Sequence, residues 1–124
     1  MSLRTSIAAA HLSGPRPEAG GQAVMEFRFR PEDPTFAGHF PARPVVPGVY
    51  QLEMARLAAE SVLHCPLAIR EVVRAKFLRP VGPTEIVRLN LKISEEDGTF
   101  RAHAGFAVGG KPAGEVQLIL CRHG

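Results

Sequence analysis

Two periodicities divide the chain. Between Ala23 and Arg30 the residues alternate, with Met25, Phe27 and Phe29 on one side and Glu26, Arg28 and Arg30 on the other. That period of two is what a half-buried strand requires. Pro31 and Pro34 end it, and the next stretch, Thr35 to Gly48, carries three more prolines and two glycines, which makes it a long loop. From Gly48 the run VYQLEMARLAAESVLH contains neither Gly nor Pro and sets Val49, Leu52, Ala55, Ala59, Val62 and Leu63 at helical spacings. This is the one long helix expected, entered through Pro47-Gly48 and closed at Cys65-Pro66. Its apolar residues take up much of the circumference, so it should be buried on most sides.

After the helix the period returns to two. Glu71 to Phe77 is a candidate strand, and Glu85 to Ile93 directs Val87, Leu89, Leu91 and Ile93 inward. Asp97-Gly98 supplies a hairpin turn, Phe100, Ala102, Ala104, Phe106 and Val108 share one face of the following strand, Gly109-Gly110 turns the chain again, and Glu115 to Cys121 forms the last strand. One helix and about five strands, the last three joined by hairpins, make an α+β antiparallel fold, satisfied by a sheet curled around a central helix.

Composition narrows the setting. A chain of 124 residues, 45% apolar and 22% charged, is expected to form a single domain over residues 1–124 with one core. Its Gly/Pro/Ala-rich opening, residues 1–22, is expected to be loosely ordered. No apolar run approaches the roughly 20 residues that span a bilayer, and the opening lacks a secretory pattern, so a cytoplasmic protein without membrane contact is expected. Cys65 and Cys121 show no ligand spacing, which argues against a disulfide framework and a zinc site, and no metal or other cofactor is expected. The net charge of +3 is spread along the chain rather than clustered, against nucleic acid as a partner.

Candidate chemistry is concentrated in FAGHFPARPVVPGVYQLEMA, Phe36 to Ala55. With Gly38-His39-Phe40-Pro41, Pro44, Pro47-Gly48-Val49 and an acid at Glu53, this string resembles the active-site signature of the 3-hydroxyacyl-ACP dehydratases, hotdog enzymes of fatty-acid synthesis. His39, Gly48 and Glu53 keep that family's separations, and KFLRPVGP, Lys76 to Pro83, is similar to a second family motif. In length and wording the chain looks nearest to the dehydratase-like proteins associated with aryl-polyene and polyketide synthesis. The chain departs from the pattern at Leu57, where the family carries a glutamine, and at Pro83-Thr84-Glu85, where it carries Pro-Gly-Asp.

The resemblance implies a hotdog fold, an antiparallel sheet of about five to six strands wrapped around one long central helix. It also implies removal of water from 3-hydroxyacyl thioesters on acyl carrier protein, giving trans-2-enoyl thioesters in fatty-acid or polyketide-type synthesis, by a homodimer whose assembly beyond the dimer is left open. The reaction needs a base for the α-proton, a donor for the departing hydroxyl and a partner for the enolate-like oxygen. His39, with the near-neutral pKa of imidazole, is the candidate base. Glu53 is the candidate acid, on a largely apolar helix where desolvation would keep its proton. The Gly48 N–H, at the positive end of the helix dipole, is the candidate oxyanion donor. In the family the acid faces the histidine of the other subunit. Phe40, Pro47 and Val49 are expected beside the substrate, and Arg43, Arg56, Lys76 and Arg79 form a candidate basic rim for the acidic carrier protein. Two other functions fit a hotdog domain: hydrolysis of acyl thioesters by a helix carboxylate and a bound water, and acyl binding without catalysis.

Overall fold

The alternating segments pair into one antiparallel sheet in the computed structural model of the chain, which describes residues 3–18, 22–36 and 45–123. Along the chain come α1 (Leu3–Ala10), β1 (His11–Glu18), β2 (Gln22–Arg28), α2 (Tyr50–Leu63), β3 (Leu67–Phe77), β4 (Ile86–Glu96), β5 (Thr99–Val108) and β6 (Lys111–Arg122). The strands lie side by side in the order β1-β2-β4-β5-β6-β3. The β4-β5 and β5-β6 hairpins turn where Asp97-Gly98 and Gly109-Gly110 take positive φ, 51° and 79° in the first, 58° and 80° in the second. Such pairs match the right-handed twist of the strands they join.

Register follows from the apolar alternation. Phe27 stands opposite Val87 and Met25 opposite Leu89 across β2 and β4, Leu89 opposite Phe106 across β4 and β5, and Ala104 opposite Val116 across β5 and β6. All of these are buried, and they form the floor on which α2 lies. The helix reaches that floor through Met54 and through Ala55, Ala58 and Ala59, whose small side chains let its axis come close to the sheet. α2 ends one residue earlier than Cys65-Pro66 suggests, because His64 adopts the left-handed conformation (φ 55°) and its N–H bonds the Glu60 carbonyl at 2.8 Å.

The opening of the chain corrects one expectation. Residues 3–10 form α1, which packs Ile7 and Ala10 into the core, and residues 11–18 form β1, paired with β2, so this segment is built into the fold rather than loosely ordered. β1 tolerates Pro15 and Pro17 because it is an edge strand, where one row of N–H groups is not needed for pairing. The opposite edge is different. β3 is 11 residues long, contains no proline and exposes Val72 and Val73.

Candidate active site

Three pieces of chain meet at the entrance to α2. Val46 donates its N–H to the Val81 carbonyl at 2.7 Å, which ties the approach to the helix onto the segment that follows β3. Pro47 and Gly48 then lead into α2, whose first amides, those of Tyr50, Gln51 and Leu52, bond back to the carbonyls of Pro47, Gly48 and Val49 at 3.0, 2.9 and 3.1 Å. Val49 caps the helix without a side-chain hydrogen bond. The N–H groups of Gly48 and Val49 accordingly donate to no carbonyl among the described residues, the usual state of a helix start.

Beside this start lies a cavity of about 310 Å³ whose wall includes Pro47, Gly48, Gln51, Met54, Phe77 and Arg79. Gly48 sits directly against the Phe77 ring, and a Cβ at this position would lie 2.8 Å from Phe77 Cδ2. The glycine is thus demanded by packing as well as by any ligand, since such a contact is closer than two carbons can approach. The Gln51 amide lies over Gly114 of β6 with Oε1 as the atom nearest to where a Cβ would stand, ahead of Cδ at 2.8 Å and Nε2 at 2.9 Å. Gln51 is only 5% exposed, and its Oε1 has no hydrogen-bond partner among the described residues.

The second cluster occupies another side of the same helix. Glu53, 8% exposed, accepts hydrogen bonds from Arg56 Nε at 2.9 Å to Oε1 and 2.6 Å to Oε2, with Arg56 Nη2 also against Oε2. Arg4 of α1 approaches Oε1 at 3.6 Å. Arg56 continues to Glu60 Oε2 at 2.6 Å and to the Leu67 carbonyl at 3.2 Å, while the Leu67 N–H donates to Glu60 Oε2 at 2.7 Å. Burial, the largest single influence, lowers the Arg56 pKa. Hydrogen bonding and charge attraction from Glu53, with Glu60 behind them, together outweigh it and raise the guanidinium above its ordinary value.

Two expectations change here. Arg56 belongs to no surface rim: it is 4% exposed and spends its donors on Glu53, Glu60 and a backbone carbonyl. Nor is Glu53 surrounded by apolar side chains alone, since two guanidinium groups reach it. Of the remaining predicted residues, Gly48, Pro47 and Arg79 come together at the cavity, Lys76 is exposed on β3 near it, and Val49 is 52% exposed and does not line it. Glu53 is not part of that lining either. His39, Phe40 and Arg43 lie outside the described residues. Phe77 and Arg4 were not foreseen. Phe77 stands within the second motif and could have been found there, whereas nothing around Arg4 in the sequence marks it.

Comparison with known proteins gives this geometry a context. The family model for ApeI-like proteins, described as ApeI dehydratase, matches residues 16–111. The 3-hydroxyacyl-acyl-carrier-protein dehydratase FabZ of Pelotomaculum thermopropionicum is 34% identical over 111 residues, covering 83% of this chain and 79% of that protein. The FabZ of Moorella thermoacetica is likewise 34% identical over 111 residues, with 83% and 78% covered. Among solved structures, the dehydratase heterocomplex ApeI:P from Xenorhabdus doucetiae contains a chain that superposes with a TM-score of 0.74 at 23% identity, covering 86% of this chain and 93% of that one. The E. coli PaaI protein from the phenylacetic acid degradation operon superposes with a TM-score of 0.64 at 15% identity, covering 84% and 74%. The structural likenesses bear on the fold alone, which is the hotdog arrangement expected from the sequence.

Proposed function

This chain belongs to the ApeI-like dehydratase family, and from that premise we propose how it acts. It is a 3-hydroxyacyl-ACP dehydratase, removing water from carrier-bound 3-hydroxyacyl thioesters to leave trans-2-enoyl thioesters. His39 takes the proton from C2, Glu53 gives a proton to the departing 3-hydroxyl, and the Gly48 N–H holds the thioester oxygen as negative charge develops on it. One proton is taken and one given, so a single transfer returns the pair to its starting state. The observation that carries this reading is the entrance to α2, where the Gly48 N–H, donating to no carbonyl among the described residues, stands beside an acyl-sized cavity and a buried carboxyl follows five residues later at Glu53. Pro47 walls the thioester, with Phe40 and Val49 nearby, and Lys76, Arg79 and Arg43 meet the acidic carrier protein.

The working unit is a homodimer in which His39 of one subunit serves the Glu53 of the other. The two sheet edges support this. β1 is interrupted by Pro15 and Pro17, whereas β3 offers an unpaired edge with apolar Val72 and Val73 exposed, a surface that stable proteins cover. Val49, exposed in a lone subunit, is then available to a substrate bound between two.

A second reading has one observation in its favour. Arg56 and Arg4 surround Glu53 with donors, a setting suited to a carboxylate that activates water, as a hotdog thioesterase would use. One assay separates them: 3-hydroxyacyl and saturated acyl thioesters are supplied, and enoyl absorbance and thiol release are followed together. Enoyl product without thiol is expected, and thiol alone would establish the hydrolase. His39→Ala and Glu53→Gln should each lower dehydration by about 10² to 10⁴. Mixing the two inactive variants under subunit exchange should restore roughly a quarter of wild-type activity, because half of the dimers are mixed and each has one intact site. No recovery would overturn the shared site.

A further inference from the structure

We infer that Gln51 binds the 3-hydroxyl of the substrate and so selects hydroxylated acyl chains over saturated ones, a step that rests on the dehydratase reading. Gln51 is 95% buried, as its 5% exposure gives, and a buried amide usually has its oxygen satisfied. Its Oε1 is the one buried side-chain atom left without a partner among the described residues. The same amide lines the cavity that Gly48 lines, with Val45, Val46, Met54, Val81 and Val87 making the rest of that wall largely apolar. Among the described residues nothing else there, apart from the exposed Arg79, offers a polar side chain to a ligand.

The spacing fits the substrate. Gly48 stands just before α2 and accepts the Gln51 N–H at 2.9 Å through its carbonyl, so a single turn of chain, roughly 5 Å, separates the two residues. A thioester oxygen and the hydroxyl on C3 are separated by a few bonds and by a distance of the same order. A ligand whose thioester oxygen accepts from Gly48 N–H therefore carries its hydroxyl into reach of the amide, and because Glu53 of the same helix lies outside this cavity, the proton for that hydroxyl comes from the Glu53 of the other subunit in the proposed dimer. The hydroxyl donates to Oε1 and can accept from Nε2, so either orientation of the amide serves. A saturated chain would leave the oxygen unpaired, and sites built to bond a hydroxyl reject analogues that lack it far better than apolar pockets reject an extra methylene. Gly114 is part of the device, because any side chain there would displace the amide.

The test uses ligands that do not turn over. Butyryl and 3-hydroxybutyryl pantetheine analogues, with an amide replacing the thioester, are titrated into the full-length protein by calorimetry. With Gln51 present the hydroxylated analogue should bind about tenfold more tightly, the worth of one buried hydrogen bond. In Gln51→Leu, and separately in Gly114→Ala, the preference should fall to about one. Gly114→Ala keeps the glutamine in the chain but pushes its amide out of position, and it keeps the test alive should Gln51→Leu not fold. A preference that survives both substitutions, or that is absent in the unsubstituted protein because the amide is satisfied by water alone, overturns the inference. Failure of the dehydratase reading would appear elsewhere, as absence of enoyl product from true thioesters, while this binding ratio is read without any reaction.

Discussion

The two sides of the first turns of α2 hold their polar groups in opposite ways. On one side Glu53, Arg56 and Glu60 form a closed network in which each charge faces its opposite and Leu67 contributes both its N–H and its carbonyl. On the other side Gln51 carries an oxygen with no partner among the described residues, at the wall of an apolar cavity. The first arrangement is complete without a ligand and the second is not. A paired buried group mainly fixes geometry, whereas an unpaired one leaves a cost that a ligand can remove. One short helix segment thereby separates the group that must be held still from the group that must remain available.

The largest effect that would sharpen this contrast belongs to Arg56. Arg56→Leu leaves Glu53 and Glu60 facing each other without the guanidinium between them, and removing one partner of a buried ion pair costs roughly 3–5 kcal/mol. That loss should appear as a lower urea midpoint with an unchanged slope. Arg56→Lys keeps the charge but not the fork that reaches both Glu53 oxygens, so it should recover only part of the loss. If Arg56→Leu proved as stable as the parent, the network would be an ornament of the helix rather than its fixed side.

A smaller effect is expected where the two sides begin. Gly48→Ala drives a Cβ into the Phe77 ring, and because that ring is 49% exposed it can swing outward instead of distorting the helix. The stability cost should therefore stay near 1 kcal/mol, below the usual range for overfilling a closed core. In a Phe77→Ala background the same substitution should cost almost nothing, and the difference between the two backgrounds measures the contact. A penalty that persists without the ring would assign the glycine to backbone geometry instead.

Much of this was legible from sequence, for identifiable reasons. The run from Val49 to His64 reads as a helix because it lacks Gly and Pro, and Glu85 to Val108 reads as a hairpin because alternation flanks Asp97-Gly98. α1 was missed because eight residues are too few to hold a helix without tertiary support, and β1 because Gly14, Pro15 and Pro17 look like a loop until an edge position excuses them. At the site, the spacing of His39, Gly48 and Glu53 points to the chemistry, yet Arg56 reads from sequence as part of a basic rim rather than as the partner of Glu53. Its two acids stand at i−3 and i+4, so the network was written in the sequence, but its burial was not. The meeting of Gly48 with Phe77, and of Gln51 with Gly114, depends on β3 and β6 lying next to each other, which no local spacing reveals.

The smallest effect tests the other half of the contrast. Gln51→Leu removes an amide whose oxygen has no partner among the described residues and puts an apolar side chain into the cavity that Met54 and Val87 also line. Losing a satisfied hydrogen bond would cost stability, but exchanging an unsatisfied buried oxygen for a methyl group should leave it within about 1 kcal/mol of the parent, on the stabilising side. Equilibrium urea unfolding without ligand resolves this sign. A loss of about 2 kcal/mol or more would mean that the amide is bonded within the protein, that the two sides of α2 are alike, and that Gln51 has nothing left to offer a substrate.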